Sequence, residues 1–498
     1  MGREERLAHE SFVTNKEGGF PEEIVMISCI PMLSASLHGF LCRTSVVASL
    51  RRNLWSATAL DILLQCVPLI LAVTILSSYV ACITFSMLAA SLGARVVHHL
   101  LQQRPQRMQK AQRNKKAPGK KGPPSTGASA RPTWSSVVTV ARSHVLLGAA
   151  VFILGVDFPA FARRLAKTER SGFSLMDTGV GLFVALAAAS SPEAKGAPSS
   201  GGVQNVARTA KGSVALVLLG LSRVIAVKSL DYQSPISEYG VHWNFFFTLA
   251  FTKVTASVVY AILPARLDWL VGSILSVGYE AVLQSTQLNA FLDNGNRDGL
   301  VAANKEGLAS LAGFLALYLI VVALSRRLLY GTRSCIRDWV AMVFETGTVA
   351  LVGLALTYVV HSDVTPVSRR LANLPYCLWM ISLFLVTIVC FVLLQIADVL
   401  LCQDGMQVDF SQLQVLHKAK DAAGESQEPN LLWNSINFNA MPMFLLVNLL
   451  TGLVNIVLRP RTTGTLSAVL VLVVYISVAA FTTVFLYSRK MKLKLPFT

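Results

Sequence analysis

Apolar residues in this chain do not alternate with polar ones. They gather into runs of about twenty with few charges, separated by short polar stretches. A hydrocarbon layer about 30 Å thick needs about 20 apolar residues per helix. On that length thirteen windows stand out, at 23–41, 58–76, 78–97, 136–155, 174–190, 213–229, 244–263, 267–286, 308–324, 339–360, 376–400, 440–458 and 464–487. The pattern predicts an all-α fold, a polytopic transmembrane helical bundle of about 13 spans. The close pair 58–76 and 78–97 fits least well, together with 267–286, which holds Glu280 and Gln284.

Composition agrees with the pattern. Of 498 residues 53% are hydrophobic and 14% charged, where a soluble domain carries about a quarter charged. The first 22 residues are polar and the first apolar run is long enough for an uncleaved anchor, so no cleavable signal peptide is expected. Met1-Gly2 opens like a myristoylation signal, but Arg6 stands where Ser or Thr is required. The eight cysteines lie in or beside apolar runs without a CxxC pair, which argues for packing rather than disulfides or zinc. No Asn-x-Ser/Thr sequon marks a side of the membrane.

Charge supplies that mark. With thirteen spans the termini face opposite sides, and the side richer in Lys and Arg is cytosolic. Segments 42–57, 98–135, 191–212, 264–266, 325–338, 401–439 and 488–498 hold 26 Lys/Arg, against 13 in 1–22, 156–173, 230–243, 287–307, 361–375 and 459–463. The chain therefore divides into a luminal segment 1–22, spans 1–3 over 23–97, a basic disordered cytosolic loop 98–135, spans 4–11 over 136–400, a cytosolic loop 401–439, spans 12–13 over 440–487 and a cytosolic tail 488–498. The block RPQRMQKAQRNKKAPGKKGPPS sets topology and touches anionic lipid. It has no aromatic platform or folded module, so no nucleic-acid partner is expected. The net charge of +17 comes from this loop and the other membrane flanks.

Cytosolic loops read as spacers. Luminal ones do not: they mix charge with aromatic residues, Gly and Asn, and loops on rigid scaffolds carry function. They are VDFPAFARRLAKTERSGFSLMDTGVG (156–181), KSLDYQSPISEYGVHWNFFFT (228–248), FLDNGNRDGLVAANKEGLASLAG (291–313) and TPVSRRLANLP (365–375), joined by NLLTGLVN (448–455) inside a span. Asn448, Thr451 and Asn455 share one helix face, suited to interhelical hydrogen bonds or to substrate. Arg223 and Lys228 either snorkel from the luminal end of their span or bind a ligand.

No His-x4-Asp acyltransferase pattern, Gly-x-Ser-x-Gly elbow, Walker A sequence or His-Glu-x-x-His occurs. What remains is a carboxylate and a cation ten residues apart, Asp157 and Lys167. A carboxylate at a dry boundary is pushed up in pKa by desolvation and down by a neighbouring cation, and becomes a base for a hydroxyl proton.

Taken together, VDFPAFARRLAKTERSGFSLMDTGVG, SPISEYGVHWNFFFTLA, NKEGLASLAGFLA, VSRRLANLPYCLW and NLLTGLVN resemble the glycosylphosphatidylinositol inositol acyltransferase family, PIG-W and its fungal counterparts. The blocks run in the family's order from about residue 12 to about residue 456. The resemblance implies a thirteen-span enzyme of the endoplasmic reticulum membrane, with a luminal amino terminus and a cytosolic carboxyl terminus. It would move a fatty acyl chain, usually palmitoyl, from acyl-CoA to the 2-hydroxyl of inositol in glucosaminyl-phosphatidylinositol. It implies no cofactor, acyl-CoA being a co-substrate; the partners it implies are acyl-CoA, glucosaminyl-phosphatidylinositol and membrane lipids, and it leaves protein partners open.

The family's catalytic Asp and Lys fall on Asp157 and Lys167. Asp157 would be the general base; Lys167 would stabilise the oxyanion or orient Asp157. Relatives often have Phe-Pro-Arg-Arg where this chain has Phe-Ala-Arg-Arg at 161–164, which removes a fixed φ from the loop. Candidate phosphate partners are Arg163, Arg164, Arg223, Lys228, Arg369 and Arg370. Candidates for sugar hydroxyls or the glucosamine cation are Glu238, His242, Trp243, Asn244, Asn304 and Glu306, with Asn448 and Asn455 from the polar helix face. His242 is either a second base or a structural histidine. The competing classes are a lipid or solute transporter and a non-catalytic membrane scaffold; no inverted repeat of broken hydrophobic segments supports the first.

Overall fold

The computed structural model describes residues 14–15, 18–42, 45–113, 134–196, 202–229, 236–331, 333, 336–402 and 431–493. The first thirteen residues, most of the basic block and most of 401–439, all assigned above by composition, lie outside them. Strand β1 (Thr14–Asn15) leads into α1 (Pro21–Leu41), α2 (Ser45–Leu50), α3 (Leu54–Val73) and α4 (Val80–Arg113). After α5 (Trp134–Gly155) comes a loop with β2 (Lys167–Thr168), then α6 (Leu175–Ala189), α7 (Gly202–Ser229), α8 (Ile236–Tyr239), α9 (Phe245–Ile262) and α10 (Asp268–Ser285). The short α11 (Leu288–Asn294) and α12 (Gly299–Ala303) precede α13 (Lys305–Leu329), α14 (Ile336–Asp363), α15 (Leu374–Cys402), α16 (Leu431–Phe438), α17 (Ala440–Val457) and α18 (Thr465–Ser488).

Every predicted window falls on a helix. Among the described residues nine helices are long and apolar enough to cross a membrane: α1, α3, most of α4, α9, α13, α14, α15, α17 and α18. Val140–Gly155 of α5 and the whole of α6 are shorter apolar helices, and the remaining two windows are α7 and α10. The doubtful window 267–286 carries its carboxylate for a structural reason. Glu280 is buried, accepts the backbone N–H of Leu374 at 3.0 Å and the Gln284 amide at 2.8 Å, and so meets an unpaired donor at the start of α15.

Helix α15 is the hub. Two thirds (67%) of its apolar window is buried, against 22% for α14, which lies at the periphery. Trp379, Tyr376 and Phe384 on α15 are fully buried, with Phe314 on α13 and Trp433 on α16. The sequence reading is corrected at two places. Helix α4 runs on to Arg113, into the segment read as a disordered loop, and α16 packs Trp433 into the core from within the segment read as a spacer. Helix α3 widens to a π turn over Ile62–Cys66, where Val67 N–H reaches back to Ile62 O. Pro68 follows, and its missing donor makes the regular ladder impossible there. Gly313 has a packing reason: a Cβ there would stand 1.8 Å from Ala372 O, so only glycine lets α13 meet the loop that carries Arg369 and Arg370.

Polar contacts between distant elements join segments of the same charge class. On one side Gly19 N–H donates to Phe173 O at 2.6 Å and Gly172 N–H to Val367 O at 2.7 Å. On the other, Arg326 reaches Asp268 at 2.6 Å and Glu193 O at 3.1 Å, and Asn439 holds Met491 O at 3.0 Å.

Candidate functional site

The loop after α5 is built as a rigid plug. Phe158 and Phe161 are buried, and the last turn of the helix continues through Asp157 N–H to Leu154 O at 3.2 Å. Arg163 then folds back over the turn, donating to Val156 O (2.8 Å), Phe158 O (2.7 Å) and Phe161 O (3.0 Å). Burial pulls the pKa of its guanidinium down to about 10, with the nearby Asp157 charge acting the other way. Ala162, where relatives often have proline, keeps φ at −63°, a value proline would impose. Its N–H, which proline would lack, donates to Val73 O at 3.1 Å. The loop loses no rigidity by the exchange.

Asp157 is 4% exposed and accepts the Asn455 side-chain amide at 2.8 Å. Asn455 comes from α17, so one residue of the polar helix face read from the sequence makes a hydrogen bond to the loop. Thr451 bonds Tyr475 at 3.1 Å, whereas Asn448 is exposed and bonds back to Phe444 O. The Asn455 carbonyl oxygen is buried beside Asp157 with no hydrogen-bond partner.

Lys167 lies in a second cluster. Strand β2 holds its backbone in register with Thr14, and its ammonium pairs with Glu238 Oε1 at 2.9 Å. The same oxygen takes Arg369 Nη1 at 3.0 Å, and Arg369 Nε bonds Asp177 Oδ1 at 2.7 Å. Asp177 Oδ2 accepts the Thr168 N–H at 3.0 Å and its hydroxyl at 2.6 Å, closing a ring back to the residue after Lys167. Burial alone would raise the Glu238 pKa, but Lys167 and Arg369 hold it down to about 2. Burial works against the Arg369 charge, yet Glu238 and Asp177 raise its pKa further. Lys167 is 39% exposed at its side chain, Arg369 only 5%.

The other candidates divide. Arg164 forms a forked pair with Glu23 at the start of α1 (2.9 and 2.7 Å) and also reaches Ser77 O, tying the loop to the amino-terminal helices. Arg370 pairs with Asp293, and Glu306 is fully buried against Arg297. Asn304 accepts the His242 N–H at 2.8 Å, Asn244 caps α9 through Phe246 N–H at 3.0 Å, and Trp243 bonds Thr248 at 2.9 Å and stacks on Phe251. His242 Nδ1 is buried without a hydrogen-bond partner. Arg223 is exposed and its charge acts on Glu238; the Lys228 side chain lies outside the described residues. Sequence reasoning missed Asp177 as a member of the site. Its one signal was a carboxylate in the first turn of an otherwise apolar helix.

A cavity of about 910 Å³ lies between α5, α6, α7, α9 and α17, and α5 lines it through Arg142, Ser143 and Leu146. Its apolar part is lined by Phe183, Phe245, Phe246, Phe444 and Leu216, and its polar part by Arg142, Arg208, Lys253, Lys492 and Glu193. The carboxyl-terminal segment is fixed at this end: Asn439 donates to Met491 O and accepts Leu493 N–H, both at 3.0 Å. Arg142 precedes Asp157 by about 22 Å along α5 at 1.5 Å per residue.

Comparison with known proteins places this arrangement. The chain is 31% identical over 94% of its length, and 94% of the relative's, to the mouse protein named glucosaminyl-phosphatidylinositol-acyltransferase PIGW. It is 32% identical to the bovine protein of that name, over 90% of this chain and 91% of the relative. It is 31% identical over 98% of both chains to GPI-anchored wall transfer protein 1 of Aspergillus oryzae. The GWT1 family model matches residues 5–486, and the chain belongs to the GWT1 family.

Proposed function

We propose that this protein is an acyl-CoA-dependent O-acyltransferase of the endoplasmic reticulum membrane. It moves a fatty acyl chain, palmitoyl by preference, to the inositol 2-hydroxyl of glucosaminyl-phosphatidylinositol during synthesis of the glycosylphosphatidylinositol anchor. The relatives' names support the acceptor and the reaction class. The observation that carries the donor is the cavity: an apolar, aromatic-lined space with four cations at its polar end. That is the chemistry an acyl chain and the phosphates of CoA require.

The reaction is a direct transfer. The Asp157 carboxylate accepts the proton of the inositol hydroxyl as that oxygen attacks the thioester carbonyl. The carbon–oxygen bond forms, the negative charge collects on the carbonyl oxygen, and the carbon–sulfur bond then breaks. The departing CoA thiolate takes up the proton that Asp157 accepted, which restores the carboxylate. General base catalysis of this kind contributes about 10²–10⁴ in rate. Of the two roles for Lys167, the geometry favours the oxyanion: Asn455 already orients Asp157, while Lys167 is anchored on Glu238 and partly exposed. A charged donor aimed at a developing oxyanion contributes about 3–4 kcal/mol. The chemistry uses no cofactor, and Arg223, Arg370 and Lys228 remain candidates for the acceptor's phosphate.

In this reading the chain crosses the membrane thirteen times, with Asp157 and Lys167 on the luminal side and the cations of the cavity toward the cytosol, where acyl-CoA is made. Its support is the helical windows and, among the described residues, the polar contacts that join segments of one charge class.

Purified full-length protein given palmitoyl-CoA and a short-chain glucosaminyl-phosphatidylinositol will release free thiol only when the acceptor is present, matched mole for mole by acylated lipid. Absence of turnover by folded protein would overturn the assignment. Orientation has its own test. A glycosylation sequon placed in the 287–307 loop will be modified in microsomes and one placed in 98–135 will not; the reverse pattern would invert the topology.

A further inference from the structure

We propose that Asp177, acting through Arg369 and Glu238, is a positioning residue for Lys167, so that the buried ring Asp177–Arg369–Glu238 sets the direction of the ammonium. The inference rests on the reading that Lys167 stabilises the oxyanion.

The ring gathers residues far apart in the chain. Glu238 follows Lys167 by 71 residues, and Arg369 follows Asp177 by 192. Its two cations and two carboxylates are charge-balanced, which is how a buried ionic group is tolerated. Both carboxylates are shared. Glu238 Oε1 serves Lys167 and Arg369 at 2.9 and 3.0 Å. Asp177 serves Arg369 with one oxygen and Thr168 with the other.

Sharing has a consequence for the ammonium. Were Glu238 paired with Lys167 alone, the pair would tighten and the lysine would be drawn away from substrate. Arg369 takes part of that negative charge, weakens Glu238 as a base toward Lys167, and is itself held by Asp177. The two other N–H bonds of Lys167 have no acceptor among the described residues and are left for a developing oxyanion. The charged and titratable groups around the Glu238–Arg369 pair are Lys167, Asp177 on α6, Arg223 on α7, and the phenols of Tyr239 and Tyr376. Arg369 lies over the Tyr239 ring at 5.6 Å, and Tyr376 donates its hydroxyl to Asp177 O at 2.9 Å.

Two changes move the lysine in opposite directions, and the split of kcat from KM separates positioning from mere support. Glu238→Gln leaves Lys167 facing Arg369 and Arg223 without its counter-charge. The ammonium then loses its anchor, and kcat falls about 10–100-fold while KM stays within about threefold. The double variant Asp177→Asn/Arg369→Gln removes the second ion pair as a unit and leaves Glu238 to Lys167 alone, which draws the ammonium onto that carboxylate and lowers kcat to a similar extent with the same split from KM. Thermal unfolding in detergent checks that both variants are folded. A kcat within about threefold of the parent in the folded variants, or a loss carried by KM, would overturn the proposal while Lys167→Met is inactive. If Lys167→Met keeps full activity, the role of Lys167 fails first and the ring loses its object. If Glu238→Gln does not fold, the kcat of the double variant decides.

Discussion

Asp157→Asn lowers kcat for inositol acylation by about 10²–10⁴-fold and leaves the thermal unfolding temperature in detergent within a few degrees. The substitution is isosteric, and the new carbonyl oxygen still accepts the Asn455 amide that now reaches Asp157 at 2.8 Å. The packing of Phe158 and Phe161 and the three carbonyls gathered by Arg163 are untouched. What disappears is a group able to take a proton. An amide oxygen is far too weak a base, so the hydroxyl must attack undeprotonated, which costs about 3–5 kcal/mol of transition-state stabilisation. The loss falls on kcat rather than KM, because Asp157 acts on the reacting proton and not on the phosphates or the acyl chain. A folded variant within threefold of the parent rate would exclude Asp157 as the base. A variant that loses both rate and stability would assign the residue to the fold instead.

Much of the fold was legible because helix length and apolar composition report directly on a hydrocarbon solvent. The windows at 23–41 and 464–487 correspond to α1 and α18 within a few residues. The site was legible only in part. Asp157 and Lys167 stood out as charges that topology did not explain. Arg163 and Arg164 looked the same in sequence but are engaged by backbone carbonyls and by Glu23, because the loop folds back on itself and on α1. The partners of Lys167 come from α8, the loop before α15 and, one step further, α6, and no local pattern links them. Arg208 and Lys492 were counted as topological charge, a use of the same residues that gave no hint of the cavity they line. Arg142 stands inside the apolar window 136–155. Only the packing of α5 against α6 and α17 shows that it borders open space.

Ala187→Trp will lower kcat/KM for palmitoyl-CoA by about 200-fold and that for butyryl-CoA by less than about tenfold. Ala187 lines the cavity from α6, next to Phe183 and Leu186, so an indole there projects into the space assigned to the acyl chain. A buried methylene contributes about 0.8 kcal/mol. If the ring displaces four methylenes, about 3.2 kcal/mol of donor binding is lost, which at 1.4 kcal/mol per factor of ten is about 200-fold. A four-carbon chain has few methylenes beyond the carbonyl, and its CoA head still meets Arg142, Arg208, Lys253 and Lys492. Chain length therefore separates a blocked tunnel from a damaged protein: a distorted α6 would move Asp177, and with it the ring that holds Lys167, slowing both donors alike. Equal losses for the two donors would place the lesion in that ring. An unchanged rate with palmitoyl-CoA would place the acyl chain outside the cavity, and the cations at its polar end would then need another ligand.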